Sequence, residues 1–268
     1  MAPSEGKPRK TRQIGGTEPR VVVTVSDGIA TLTLNRPDKR NAIDRRMIGE
    51  LKAALTRCDL SKEIRVVALR AAGKDFCAGL DLDELLASAD LTPEENERRA
   101  MELGELFLML REMPKVSVAV VVGRALAGGC GLATACDIVV ARAGAQLGYP
   151  EIQRGFVPAM VMTMLRRSVG EKVAFDLAAT GRLVTAEEAE RIGLVSRLLP
   201  AEDFDARVAT LLAQLSVSSP SALALTKRQL HQIGDLGFEA GVTLGARVNS
   251  IARATPEFRK SLEAFLDK

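Results

Sequence analysis

The 268-residue chain contains no tryptophan, one tyrosine (Tyr149) and one histidine (His231). So few aromatic rings leave little material for stacking nucleic-acid bases. One histidine removes most mechanisms built on Ser-His or Cys-His pairs. His231 lies in a polar helical stretch and is expected on the surface. The four cysteines, Cys58, Cys77, Cys130 and Cys136, form no Cys-x-x-Cys pair, so no metal site is expected. Their sparse, mostly apolar settings suit reduced thiols and a cytoplasmic location. No run of about 18 apolar residues occurs, which argues against a membrane span. The basic N-terminus has no apolar stretch behind it, which argues against a secretory signal.

Charge of one sign is also scarce outside one segment. The formal net charge is +3. Residues 1–20 supply that whole excess through Lys7, Arg9, Lys10, Arg12 and Arg20 against Glu5 and Glu18, and the remainder balances. The folded body is therefore not a polyanion-binding surface overall, and nucleic acid is not an expected partner. The 1–20 tail, rich in Pro, Gly, Lys and Arg, is expected to be disordered.

A chain of this length forms one large domain, or one domain with a helical appendage. The pattern predicts a hairpin over 21–26 and 29–34 around Asp27-Gly28. A helix capped by Asp44 follows, reaching about Cys58. A buried strand is expected over 64–69, a short helix over 80–86, and a longer helix entered at Pro93 and running to 113. Val116–Val122 is an apolar, mostly β-branched run that suits a strand buried on both faces. A turn with Gly128, Gly129 and Gly131 leads into a small-residue helix over 132–136. Further elements are a strand over 137–141, helices over 158–168 and 171–180, a capping box at Thr185 and Glu188, and a short strand over 194–198. From Ala201 onward the chain reads as four helices. Strands alternating with helices imply an α/β core over 21–200 with a mostly parallel sheet. Residues 201–268 form a C-terminal helical subdomain.

Two turns share one design. Phe76-Cys77-Ala78-Gly79-Leu80-Asp81 follows one buried strand, and Ala127-Gly128-Gly129 follows another. If the strands are neighbours, both turns open on the edge where ligands bind α/β sheets. Two backbone N–H groups could then converge on one carbonyl oxygen and stabilise an enolate. The same glycines equally suit tight strand–helix packing.

These segments, with Asn35-Arg36-Pro37, Asn41-Ala42, Ala135-Cys136-Asp137-Ile138, Pro150-Glu151, Gly155 and Glu187 through Val195, resemble the crotonase (enoyl-CoA hydratase/isomerase) superfamily. The resemblance implies a spiral of ββα repeats with a C-terminal helical trimerisation subdomain, assembling as a homotrimer or dimer of trimers. It implies an acyl-CoA substrate, with no separate cofactor, whose thioester carbonyl sits between the N–H groups of Ala78 and Gly128. Lys39, Arg40, Ala42 and Lys74, with Ala78, Gly79, Leu80, Asp81 and Leu82, would lie along the CoA moiety. Gly128, Gly131 and Tyr149 would border the acyl end. Family hydratases usually carry two glutamates. One falls on Gly131 and is absent here, and the other falls on Glu151. Glu151 is therefore the expected catalytic carboxylate, with its pKa pulled down by a helix N-terminus and up by burial. A glycine at 131 is expected to enlarge the acyl pocket. Hydration of a 2-enoyl-CoA is the first functional expectation. A Δ3–Δ2 double-bond shift, which one carboxylate can perform, is the alternative, and a non-catalytic acyl-CoA-binding scaffold is a third.

Overall fold

A computed structural model describes residues 18–267. The expected disorder of the basic tail falls on residues that are mostly outside this range. The elements, in order, are β1 (Val21–Ser26), β2 (Ile29–Leu34), α1 (Arg45–Leu60), β3 (Val66–Ala71), α2 (Leu82–Ala87), α3 (Pro93–Glu112), β4 (Val116–Val121), β5 (Arg124–Leu126) and α4 (Gly128–Thr134). They continue with β6 (Ile138–Arg142), β7 (Gln146–Gly148), α5 (Val161–Ser168), α6 (Glu171–Thr180), β8 (Leu183–Thr185), α7 (Ala186–Arg191) and β9 (Arg197–Leu199). Four helices close the chain: α8 (Phe204–Val217), α9 (Pro220–Ile233), α10 (Phe238–Arg253) and α11 (Pro256–Leu266).

A six-stranded sheet runs β1-β2-β3-β4-β6-β9, parallel except for the β1–β2 hairpin. A smaller sheet runs β5-β7-β8. Bridges pair Cys77 with Ala125 and Ile43 with Leu80, so the smaller layer extends through the loops after β2 and β3. The chain thus alternates between layers. β3 is followed by the 77–80 segment, β4 by β5, and β6 by β7, each moving from the large sheet to the small one. That is the spiral of repeats the resemblance implies. The three short strands β5, β7 and β8 were not expected, because three residues are too few to show a periodicity.

Local chemistry explains the main elements. Asp44 caps α1, its Oδ1 accepting from Met47 N at 2.7 Å. Thr92 and Glu95 form a reciprocal capping box on α3. At α7 only half of the expected box forms. Thr185 accepts from Glu188 N, but the Glu188 carboxylate pairs with Arg182 at 2.9 Å instead. All six residues of β4 are buried, as a strand covered on both faces requires. Val67, Leu69, Ala119 and Val121 point into the core beneath α1 and α3. Val66, Ala68, Val118 and Val120 point the other way, onto Phe204, Val208, Leu211 and Leu212 of α8.

A buried ion pair locks the helical region to this core. Lys227 Nζ lies 2.8 Å from Asp137 Oδ2 and donates to the carbonyls of Leu110 and Lys115. Asp137 also accepts from Ser117 N and Oγ, so its role is structural, as its junction position implies. His231 is half-buried beside Asp137 rather than on the surface, and burial together with nearby Arg111 lowers its pKa.

Candidate active site

β3 and β4 are adjacent and parallel, so the turns after them open on one edge. In the first turn, Ile43 N donates to Gly79 O at 2.8 Å, and Asp81 N donates to Ile43 O at 2.9 Å. In parallel pairing, those two bonds flank the bridged residue, whose own N–H points the other way. The N–H of Leu80 therefore faces away from Ile43, and among the described residues it has no acceptor. On that side lies Gly128, where a Cβ would stand 3.8 Å from Leu80 N. Gly128 is the first residue of α4, so its N–H is free by helix geometry. Two unpaired donors thus face one space.

This corrects the expected donor. The N–H of Ala78 is already used, donating to Arg40 O at 3.0 Å. Gly79, at φ +98°, breaks the extended run after it, and the N–H left free is that of Leu80. The helix also begins at Gly128 rather than at residue 132. The glycines are its first turn, not a turn before it.

The second donor is held by strain. Ala127 adopts φ +51° and ψ −128°, a conformation costing about 1–3 kcal/mol for a residue with a Cβ. Its N–H bonds to Gly148 O at 2.8 Å, which ties the bend to β7. Gly129 packs directly on Cys77. A Cβ there would come within 2.6 Å of the Cys77 Cβ, carbonyl oxygen and Sγ.

Glu151 sits in a one-turn helix over Pro150–Arg154, ended by Gly155 in the left-handed conformation. Glu151 is 8% exposed, and its Oε2 has no hydrogen-bond partner among the described residues. Burial raises its pKa, and the opposing pull of its own backbone N–H is the smaller effect. Of the two competing influences, burial wins. Tyr149 is fully buried in the core. Its hydroxyl lies near the buried Cys130 thiol, which burial pushes up to about 12. Such a thiol is inert at neutral pH.

Gly131 does not enlarge a pocket. A Cβ at 131 would lie 2.1 Å from Val161 Cγ1, 2.9 Å from Val161 Cβ and 3.4 Å from Phe107 Cζ. Val161, at the start of α5, has taken the room.

Residues 24–268 match the family model described as enoyl-CoA hydratase/isomerase. The chain belongs to this family. A Thermus thermophilus protein with an enoyl-CoA hydratase name is 40% identical over 248 residues, covering 92% of this chain and 98% of the relative. The 2,3-dehydroadipyl-CoA hydratase of Escherichia coli K12 is 32% identical over 249 residues, covering 92% and 96%. A crystal structure of a Mycobacterium smegmatis enoyl-CoA hydratase superposes with a TM-score of 0.89 at 29% identity, covering 93% of this chain and 97% of that one. The fold is that of the crotonase-type hydratases.

Within this family member, the segments expected along CoA form one rim. Asn41 organises it: its Oδ1 accepts from Arg36 N, and its Nδ2 donates to the carbonyls of Ala72 and Asp75. Arg40 and Asn41 both take positive φ, which turns the Arg40 carbonyl onto Ala78. Lys39, Arg40 and Lys74 are exposed, Ala42 is half-buried, Gly79 is buried, and Leu82 is exposed. Lys39 lies 3.6 Å from Asp83, and Arg40 lies 3.8 Å from Asp75. Asp81 is committed elsewhere. It is buried, caps α2 through the N–H groups of Asp83 and Glu84, and pairs with Arg36 at 2.8 Å. Burial works against its charge, but the bonds from Arg36 and the two N–H groups outweigh that and lower its pKa. Asp81 therefore builds the rim rather than meeting a ligand. The Arg36 hub, which also contacts Asp44 at 3.2 Å, carried no functional signal in the sequence beyond the Asn-Arg-Pro motif.

Proposed function

We propose that this chain is an acyl-CoA enzyme that stabilises a thioester enolate, acting as an enoyl-CoA hydratase. The observations that carry the reading are two free N–H groups, at Leu80 and Gly128, and a buried carboxylate with an unpaired oxygen, Glu151, close enough to Cys130 of the Gly128 helix to add to burial in raising the pKa of its thiol. The hydratase names of its relatives support the same direction.

The step balances with Glu151 alone. The carboxylate takes a proton from water as the water oxygen bonds to C3 of the 2-enoyl thioester. The C2–C3 π electrons move onto the thioester oxygen, where the two N–H groups meet the charge. The enolate then collapses, and C2 takes the proton from Glu151. A raised pKa suits this shuttle, because the group must hold the proton briefly and then release it. Lys39, Arg40 and Lys74 supply local positive charge for CoA phosphates.

A second reading is favoured by Val161. It leaves no room for a carboxylate at 131, and one carboxylate suffices to move a proton from C2 to C4. Incubation with 2-enoyl-CoA and 3-enoyl-CoA substrates separates the two, with water addition followed by mass and the double-bond shift by the ultraviolet absorbance of the conjugated 2-enoyl thioester. Gain of the mass of water from the 2-enoyl substrate supports hydration. Conversion of the 3-enoyl to the 2-enoyl isomer with no such gain makes the enzyme an isomerase. No turnover of either overturns the enzymatic reading.

The reading includes a cytoplasmic homotrimer or dimer of trimers. Apolar side chains stranded on the last two helices support the assembly: Phe238 is 90% exposed and Phe265 is 74% exposed. Four buried reduced cysteines are compatible with the location.

A further inference from the structure

Gly131 and Val161 are complementary, and the reading above gives the pair a use. Residues 128 and 131 are three apart on α4 and so share a face. That face carries the free N–H of Gly128. A Cβ at 128 would be 3.7 Å from Leu103 Cδ2 and 3.8 Å from Leu80 Cγ. A Cβ at 131 would meet Phe107 and, far more closely, Val161. Leu103, Phe107 and Val161 are all buried. The side chains met along this face of α4, Leu80, Leu103, Phe107 and Val161, are therefore apolar, and at residue 131 they are packed to the backbone.

We infer that Val161 is the specificity-determining residue of the acyl site, its side chain filling the space over Gly131 so that the wall beside the reacting carbons accepts an apolar acyl group and excludes a polar or charged one. The proposal rests on the acyl-CoA reading and deepens it. Beyond the two donors, the side chains of Leu103, Phe107 and Val161 offer no donor or acceptor, so a polar acyl substituent lying against them is left without hydrogen bonds, which disfavours it strongly. No acidic side chain can be placed at 131 while Val161 remains, so the pair also commits proton transfer to Glu151.

The test uses the full chain and measures affinity by calorimetry for two saturated thioesters, butyryl-CoA and adipyl-CoA, whose acyl group ends in a carboxylate. Wild type is expected to prefer butyryl-CoA, and Val161→Thr, which keeps the volume and adds a hydroxyl donor, to shift the affinity ratio toward adipyl-CoA by at least tenfold. Thermal melting of Gly131→Ala, Val161→Gly and the double variant provides the second arm. Gly131→Ala alone should melt lower, and adding Val161→Gly should restore much of the loss. A ratio unchanged within twofold in a folded Val161→Thr protein overturns the specificity assignment. Melting shifts that simply add overturn the packing pair. Failure of wild type to bind either thioester is a different result, because it sinks the acyl-CoA reading while the melting arm still reports on the pair.

Discussion

The close seat of Gly129 on Cys77 makes Gly129→Ala the sharpest structural perturbation of the donor pair. The added methyl would come within 2.6 Å of three Cys77 atoms. Ordinary carbon contacts lie near about 3.5 Å, so the two segments must part by about 0.9 Å. The far ends of flexible side chains cannot absorb this, because two of the three atoms are Cβ and the carbonyl oxygen. That oxygen also accepts from Leu126 N at 2.9 Å, which ties the 77–80 segment to β5. Overpacking of this kind costs about 1–3 kcal/mol. In a chain of this size that is a fall of roughly 2–12 °C in melting temperature. Parting the segments also moves the Leu80 and Gly128 donors relative to each other, and a misplacement near 1 Å costs on the order of 10²-fold in rate. The assay is kcat/KM for a 2-enoyl-CoA beside a thermal melt. Gly128→Ala is the control for stability, since its methyl would meet nothing closer than 3.7 Å. A Gly129→Ala protein that melts and turns over within threefold of wild type would refute the argument that these segments are held by direct contact.

Two further outcomes follow from buried charge. Lys227→Met leaves the Asp137 carboxylate without its 2.8 Å partner, and one-sided removal of a buried pair costs about 3–5 kcal/mol in denaturant unfolding; the Asp137→Asn, Lys227→Met double variant should recover part of that loss. Glu151 has a folded pKa above its unfolded value, so its contribution to stability is fully present below the unfolded pKa and is lost as pH rises through the folded one. Glu151→Gln should therefore be more stable than wild type at pH 7, with the difference shrinking toward pH 4. The same shift should move the acid limb of kcat/KM above the ordinary carboxylate range, and a limb at that range would contradict it.

Periodicity and caps carried most of the large-sheet architecture. The β1–β2 hairpin, α1 with its Asp44 cap and the doubly buried β4 follow from local pattern. The small sheet did not, because β5, β7 and β8 are three residues each and are defined by their partners rather than by their own alternation. At the candidate site, the motif resemblance points to Glu151, whose carboxylate has an unpaired oxygen, and to Gly128, the first residue of α4. Leu80 was displaced by two residues onto Ala78, since which N–H is free depends on the pairing with Ile43 and Arg40, two contacts that the motif itself does not display. The occupant over Gly131 was invisible for a similar reason. Val161 lies thirty positions away and reaches the site only through the packing of α5 on α4. Asp81 and Tyr149 sit inside the motifs but serve the scaffold, one as a cap and ion-pair partner, the other as core.

The central claim is that Glu151 alone moves the proton. The direct measurement is water addition to a 2-enoyl-CoA by wild type and Glu151→Gln, followed by mass at saturating substrate. Loss of an acid–base group of this kind is worth about 10²–10⁴-fold, so the variant should fall by at least 10²-fold while still binding the thioester. Undiminished water addition by Glu151→Gln would contradict the account and move the chemistry to another group.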